Sequence, residues 1–149
     1  MGNSSGKSKG IGTEDTRADL YRFIEGIGHD KYISLEEERE VLVKADGLLI
    51  SDAQAEAMLN LRCRRNKWIR ESDVTFFLRV MLEAATKDDG LIDKKEFDQA
   101  VNFAVALLMP RKDAVRVCRA IIHESGWKAK PEKGMLGLSS KNWLDDYEG

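Results

Sequence analysis

Four carboxylates, a glycine and a backbone carbonyl crowd together in Asp88-Asp89-Gly90-Leu91-Ile92-Asp93-Lys94-Lys95-Glu96. Asp89, Asp93 and Glu96 offer hard oxygen atoms, Leu91 offers its carbonyl, and Gly90 allows a sharp turn. Hard divalent cations such as calcium are held by several such oxygens. One reading is therefore a single weak calcium site with Asp89, Leu91, Asp93 and Glu96 as metal ligands. The other reading needs no metal. The stretch would then be a turn joining two helices, with a capped helix start at Glu96-Phe97. Ala85 and Lys87 stand upstream, where a cation would need more oxygen donors.

The second concentration of functional groups is Arg62-Cys63-Arg64-Arg65-Asn66-Lys67-Trp68-Ile69-Arg70. Arg62, Arg64, Arg65, Lys67 and Arg70 with Trp68 fit a solvated face, or a surface for an acidic protein partner or an anionic membrane. Nucleic acid would use the same cations on phosphates and Trp68 for stacking. A net charge of -2 and the lack of a nucleic-acid motif argue against that third use. Acid–base and nucleophilic catalysis find little to work with. His29 and His123 are the two histidines, and Cys63 and Cys118 share no metal spacing with them. The expectation is a protein that is not an enzyme, with its cysteines as reduced thiols.

Helices must position these groups. The chain has 149 residues with 42% hydrophobic and 34% charged side chains, enough for one soluble domain with its own core, and it has two prolines. Leu20, Tyr21, Phe23, Ile24 and Ile27 recur with helical period over 13–27. Ser34 with Glu37, then Ser51 with Gln54, mark the next two helix starts. Ser72 is read as the cap of a helix over 73–85, whose apolar character on most sides places it at the centre of a bundle. Phe97 to Leu108 and Lys112 to Glu124 give two more, separated by Pro110. The expected fold class is all-α, a bundle of about six to seven helices built from helix-loop-helix units.

With Gly90 at the sixth loop position, Asp89 stands fifth, Leu91 seventh, Ile92 eighth, Asp93 ninth and Glu96 twelfth. That order resembles an EF-hand calcium loop. Asp30 to Glu37 is similar, with Ile33 at the aliphatic position and Lys31 in place of the glycine. Ile69 follows Ile33 by 36 residues, an interval similar to that of paired EF-hand loops, and His123 to Gly126 recurs 36 residues after Lys87 to Gly90. The resemblance to a degenerate EF-hand array covers about residues 15–130 and implies a calmodulin-like binding protein or an adaptor. Lys44-Ala45-Asp46-Gly47 and the Gly90 loop also resemble helical domains of the tellurite-resistance B type. That resemblance implies an all-helical protein associated with metal or stress at a membrane surface.

At the N-terminus, residues 1–12 read as a disordered Gly/Ser/Lys tail. Gly2-Asn3-Ser4-Ser5-Gly6 is similar to an N-myristoylation start, with Gly2 as the lipidation site and Lys7 and Lys9 as basic support. At the other end, Trp127, Met135, Leu136, Leu138, Trp143, Leu144 and Tyr147 make residues 127–149 an aromatic tail expected to dock on the helical domain of residues 13–126. The resulting expectation is a cytoplasmic binding or adaptor protein, tethered to a membrane if Gly2 is acylated. Its partner is a protein, and its cofactor is calcium or none. The oligomeric state stays open.

Overall fold

A computed structural model of the chain describes residues 10–132 and 142–147. Gly2 and the Met135–Leu138 part of the tail lie outside these. The chain is all-α, with seven α-helices among the described residues. It divides into two compact units, Met1–Glu71 and Ser72–Gly149.

In the first unit, α1 (Glu14–Ile27) starts from Thr13, whose side chain accepts from the Thr16 amide. A single 3-10 turn and strand β1 (Tyr32–Ile33) lead to α2 (Leu35–Gly47), capped reciprocally by Ser34 and Glu37. Then follow α3 (Asp52–Asn66), capped by Ser51, and β2 (Ile69–Arg70). The core is made by Leu20 and Ile24 of α1, Val41 and Ala45 of α2, and Ala55, Met58, Leu59 and Cys63 of α3, with Ile33 and Ile50 between. Gly10, placed in the tail by sequence, forms a bridge with Ile50 and donates to the Leu49 carbonyl at 3.2 Å.

The second unit repeats this order. It runs α4 (Glu71–Thr86), β3 (Leu91–Ile92), α5 (Lys94–Ala106), α6 (Arg111–Ser125) and β4 (Lys128–Ala129), followed by a short α7 (Trp143–Asp146). Its elements from β3 to β4 lie 59 residues after their counterparts, Leu35 matching Lys94, Asp52 matching Arg111 and Ile69 matching Lys128. Identical residues recur at that spacing in Asp30/Asp89, Ile33/Ile92, Glu37/Glu96, Ala45/Ala104, Leu48/Leu107, Leu49/Leu108, Ala55/Ala114 and Trp68/Trp127. The first helices align 58 residues apart, buried Leu20 with Leu78 and Ile24 with Leu82, so the second turn carries one extra residue. The chain is an internal duplication.

Backbone detail repeats as well. Leu49 and Leu108 both have positive φ, 61° and 71°, and the following amide returns to Ala45 O and Ala104 O. The strands pair in parallel within each unit, Tyr32 with Ile69 and Leu91 with Lys128. The paired residues lie 37 apart, one more than the interval seen in the sequence, and two loops stand side by side in each unit.

Left-handed positions differ between the copies. Lys31 and Lys67 adopt φ of 66° and 59°, where the second unit places Gly90 and Gly126. A side chain in that region is strained, and glycine is not. Lys31→Gly and Lys67→Gly are each expected to stabilise the chain by about 0.5 kcal/mol net of glycine's extra unfolded-state entropy. Urea denaturation of the two single variants measures this, and a fall in midpoint contradicts it.

Two sequence expectations need correction. The fourth helix begins at Glu71, so Ser72 lies inside its first turn instead of capping it. That helix is also not enclosed. Val74, Leu78 and Leu82 are buried, but Phe76, Phe77 and Val80 are 62%, 50% and 51% exposed. Phe103 on the next helix and Leu108 just past its end are likewise exposed. Both cysteines are buried, and burial pushes the Cys118 thiol up to about 12, which leaves it uncharged and unreactive near neutrality.

Candidate functional site

The Gly90 loop joins α4 to α5 through backbone geometry that its carboxylates complete. Asp93 is the N-cap of α5: its Oδ1 accepts from the Glu96 amide at 2.7 Å, and Glu96 Oε1 accepts from the Asp93 amide at 3.1 Å. Asp89 Oδ1 accepts from the Leu91 amide at 3.0 Å, and Gly90 O accepts from Lys128 N at 3.0 Å. All three predicted carboxylate ligands thus satisfy orphan amides of a turn and a helix start. The first unit makes the same arrangement from Asp30, Ser34 and Glu37, with Asp30 Oδ1 accepting from Tyr32 N and a neutral hydroxyl in place of Asp93. Among the described residues, no group of three or more His, Cys, Asp or Glu side chains is placed to hold a metal ion.

Calcium calorimetry separates the two readings of this loop. Wild-type protein is expected to give no saturable heat up to about millimolar calcium, the weak end of the range for oxygen sites. Glu96→Gln is expected to keep that null and lose less than about 1 kcal/mol of stability, because the amide oxygen can still accept. A saturable heat that disappears in Glu96→Gln would establish the cation site instead.

The structure divides the basic stretch rather than presenting it as one surface. Arg62 lies over the Tyr21 ring at 4.3 Å and pairs with Glu25 at 3.3 Å. Trp68 packs against the core of the first unit, its ring so close to Gly28 that an added Cβ would sit 2.2 Å from Cη2. Arg70 is 6% exposed: Nε donates to Glu38 at 2.8 Å, Nη2 to Glu56 at 2.7 Å, and Nη1 to Asn60. Desolvation opposes the Arg70 charge, but the hydrogen bonds and charges of Glu38 and Glu56 outweigh it and raise its pKa. Arg64, Arg65 and Lys67 remain at the surface near the end of α3.

The corresponding place in the second unit is built differently. Glu38, Glu56, Asn60 and Arg70 are matched by Phe97, Val115, Arg119 and Ala129. Here the segment 142–147 lies over Phe97, whose ring centroid is 5.7 Å from that of Trp143 and 4.7 Å from that of Tyr147, both edge-on. Arg119 donates through Nε to Leu144 O at 3.0 Å and through Nη2 to Tyr147 O at 2.7 Å. Trp143 Nε1 donates to Lys130 O at 2.8 Å, and the Tyr147 hydroxyl bonds Asp98. Desolvation, then the Asp98 carboxylate, raises the Tyr147 pKa, which keeps that hydroxyl a donor. Beside the segment lies a half-open cavity of about 450 Å³ lined by His123, Gly126, Trp127, Lys128, Ala129, Asn142 and Leu144.

Sequence reasoning did not single out Phe97, Asp98 or Arg119. Their significance depends on the 59-residue correspondence, which was present as scattered identities.

No protein family, curated protein or solved structure matches the chain significantly. Fold and surface together define a duplicated all-helical module. Among the described residues, no helix is long and apolar enough to cross a membrane.

Proposed function

We propose that the protein is a non-enzymatic adaptor that docks a protein partner on the outer face of α4. The observation that carries this reading is the exposed stripe Phe76, Phe77 and Val80. These positions recur on adjacent turns of one helix face, as the anchors of helix-mediated recognition do.

The duplication supplies an internal control. At the matching positions α1 carries Ala18, Asp19 and Arg22, and Asp19 and Arg22 form an exposed ion pair at 2.9 Å. The helix-turn-strand unit therefore folds with a polar outer face, and folding alone does not call for aromatics there. Two half-exposed phenylalanines on one turn are unfavourable in water and become favourable when a partner covers them. Stable binding of a complementary apolar surface is the function that uses them.

Phe76→Asp/Phe77→Asp is expected to leave thermal stability within a few degrees of wild type and to weaken partner binding by about 2 kcal/mol or more, the scale of buried aromatic anchors. Quantitative affinity capture of the wild-type chain and the variant, with calorimetric melting as the fold control, tests this. Equal capture by both folded proteins contradicts docking at α4.

A further inference from the structure

We propose that the face of the second unit floored by Phe97 is a recognition groove for a linear peptide of a protein partner, and that residues 142–147 are its resident, displaceable occupant. The peptide it fits has an aromatic residue, an aliphatic residue, two acids and a tyrosine in sequence, as Trp143-Leu144-Asp145-Asp146-Tyr147 does. This surface is separate from the α4 stripe and does not depend on it.

The argument begins with what the fold leaves open. In the first unit the same place is closed from within, because Arg70 reaches Glu38, Glu56 and Asn60 and the four side chains satisfy one another. In the second unit those positions are Ala129, Phe97, Val115 and Arg119, which cannot make that cluster. The place is closed instead by a segment that enters from outside the repeated elements and leaves Phe97 fully buried. The Phe97 ring, met edge-on by Trp143 and Tyr147, marks the floor of the groove that this segment fills.

The contacts are those of peptide recognition. Arg119 reads two backbone carbonyls, Leu144 O and Tyr147 O, and so fixes the path of a chain without regard to its side chains. Side-chain preference comes from the Phe97 floor, the Asp98 acceptor for a tyrosine hydroxyl and the Lys130 carbonyl for an indole N–H. Charge agrees as well. Asp145 faces His123 at 3.9 Å, and exposed Lys128 of β4 and Lys130 just past it lie at the groove edge, so an acidic peptide is favoured. The resident is short: α7 is four residues long, and only the nine residues 133–141 connect it to Glu132. Such a tether gives an effective concentration of about millimolar, which a partner peptide of higher affinity can overcome.

The test uses the full chain and a labelled peptide with the sequence of residues 141–149. Trp143→Ala/Tyr147→Ala weakens the resident without altering the groove. The peptide is expected to bind this variant at least about tenfold more tightly than wild type, because cis competition is relieved. Adding Arg119→Ala is expected to cost about tenfold or more of that affinity, the least expected from losing a single hydrogen bond to a charged group. Tyr147→Phe, which removes only the hydroxyl, serves if the double variant is not folded by circular dichroism, and is expected to raise peptide affinity severalfold over wild type. A folded, opened variant that does not bind the peptide overturns the proposal, as does binding indifferent to Arg119→Ala. A wild-type dimer in sedimentation that dissociates on Trp143→Ala/Tyr147→Ala overturns the choice of occupant, since a second copy would then fill the groove.

Discussion

Replacing Arg70 with leucine is expected to destabilise the first unit by about 3 kcal/mol, the lower end for removing one partner of a buried ionic group. The guanidinium is 7% exposed and answers two carboxylates, of which Glu38 is 13% exposed and Glu56 is 45% exposed. Removing it leaves Glu38 charged in a poorly solvated place, while Glu56 can turn to water. The loss should therefore come mainly from Glu38. Arg70→Leu combined with Glu38→Gln is expected to recover more than half of the stability, and Arg70→Leu with Glu56→Gln much less. Guanidinium unfolding of the three variants measures the difference. Equal recovery by the two Gln substitutions would show that exposure does not set the cost. Arg70→Lys is a harder case than its charge implies, because one ammonium cannot span Glu38, Glu56 and Asn60 as the planar fork does.

The elements of the fold were legible where the signal was local. Ser34 and Ser51 each precede a helix and cap it as their spacing indicates, and Pro110 divides α5 from α6. Aliphatic positions such as Ile33 and Ile92 were assigned to matching loops and both are fully buried. What local reading missed depends on distance along the chain. Arg70 lies in the most basic stretch, where solvent is the default for arginine, and its partners Glu38, Glu56 and Asn60 lie 10 to 32 residues away. For α4, apolar residues on most sides placed the helix at the centre of a bundle and did not show which face the fold covers. The duplication shows in the sequence only as isolated identities 59 residues apart, whereas the 36-residue interval falls one short of the 37-residue register of strands that pair within a unit. Once the units are superposed in sequence, each difference between them becomes informative. Asp19 against Phe77 marks the α4 stripe, and Glu38 against Phe97 marks the groove.

Gly28→Ala tests how the first unit seats its tryptophan, and is expected to cost about 2–3 kcal/mol. The backbone is not the obstacle. Gly28 has φ of -86°, which alanine adopts freely, and the shorter list of unfolded conformations would by itself favour alanine by about 0.5 kcal/mol. The obstacle is the Trp68 ring, with Cη2, Cζ3 and Cζ2 at 2.2, 2.3 and 2.5 Å from the new Cβ. Carbon atoms need about 3.5 Å, so the partly buried ring must move by more than an ångström out of its packing against the core. The second unit avoids this conflict. Buried Thr86 stands where Gly28 does, its hydroxyl bonded to Leu82 O, and an added Cβ on Gly90 would still lie 3.8 Å from Trp127. A double-mutant cycle isolates the contact. Trp68→Leu alone is expected to cost about 3 kcal/mol through lost burial, yet in that background Gly28→Ala should become neutral or slightly stabilising. A coupling energy below about 0.5 kcal/mol would show that the ring yields without cost and that the close approach of Trp68 to Gly28 does not hold the turn.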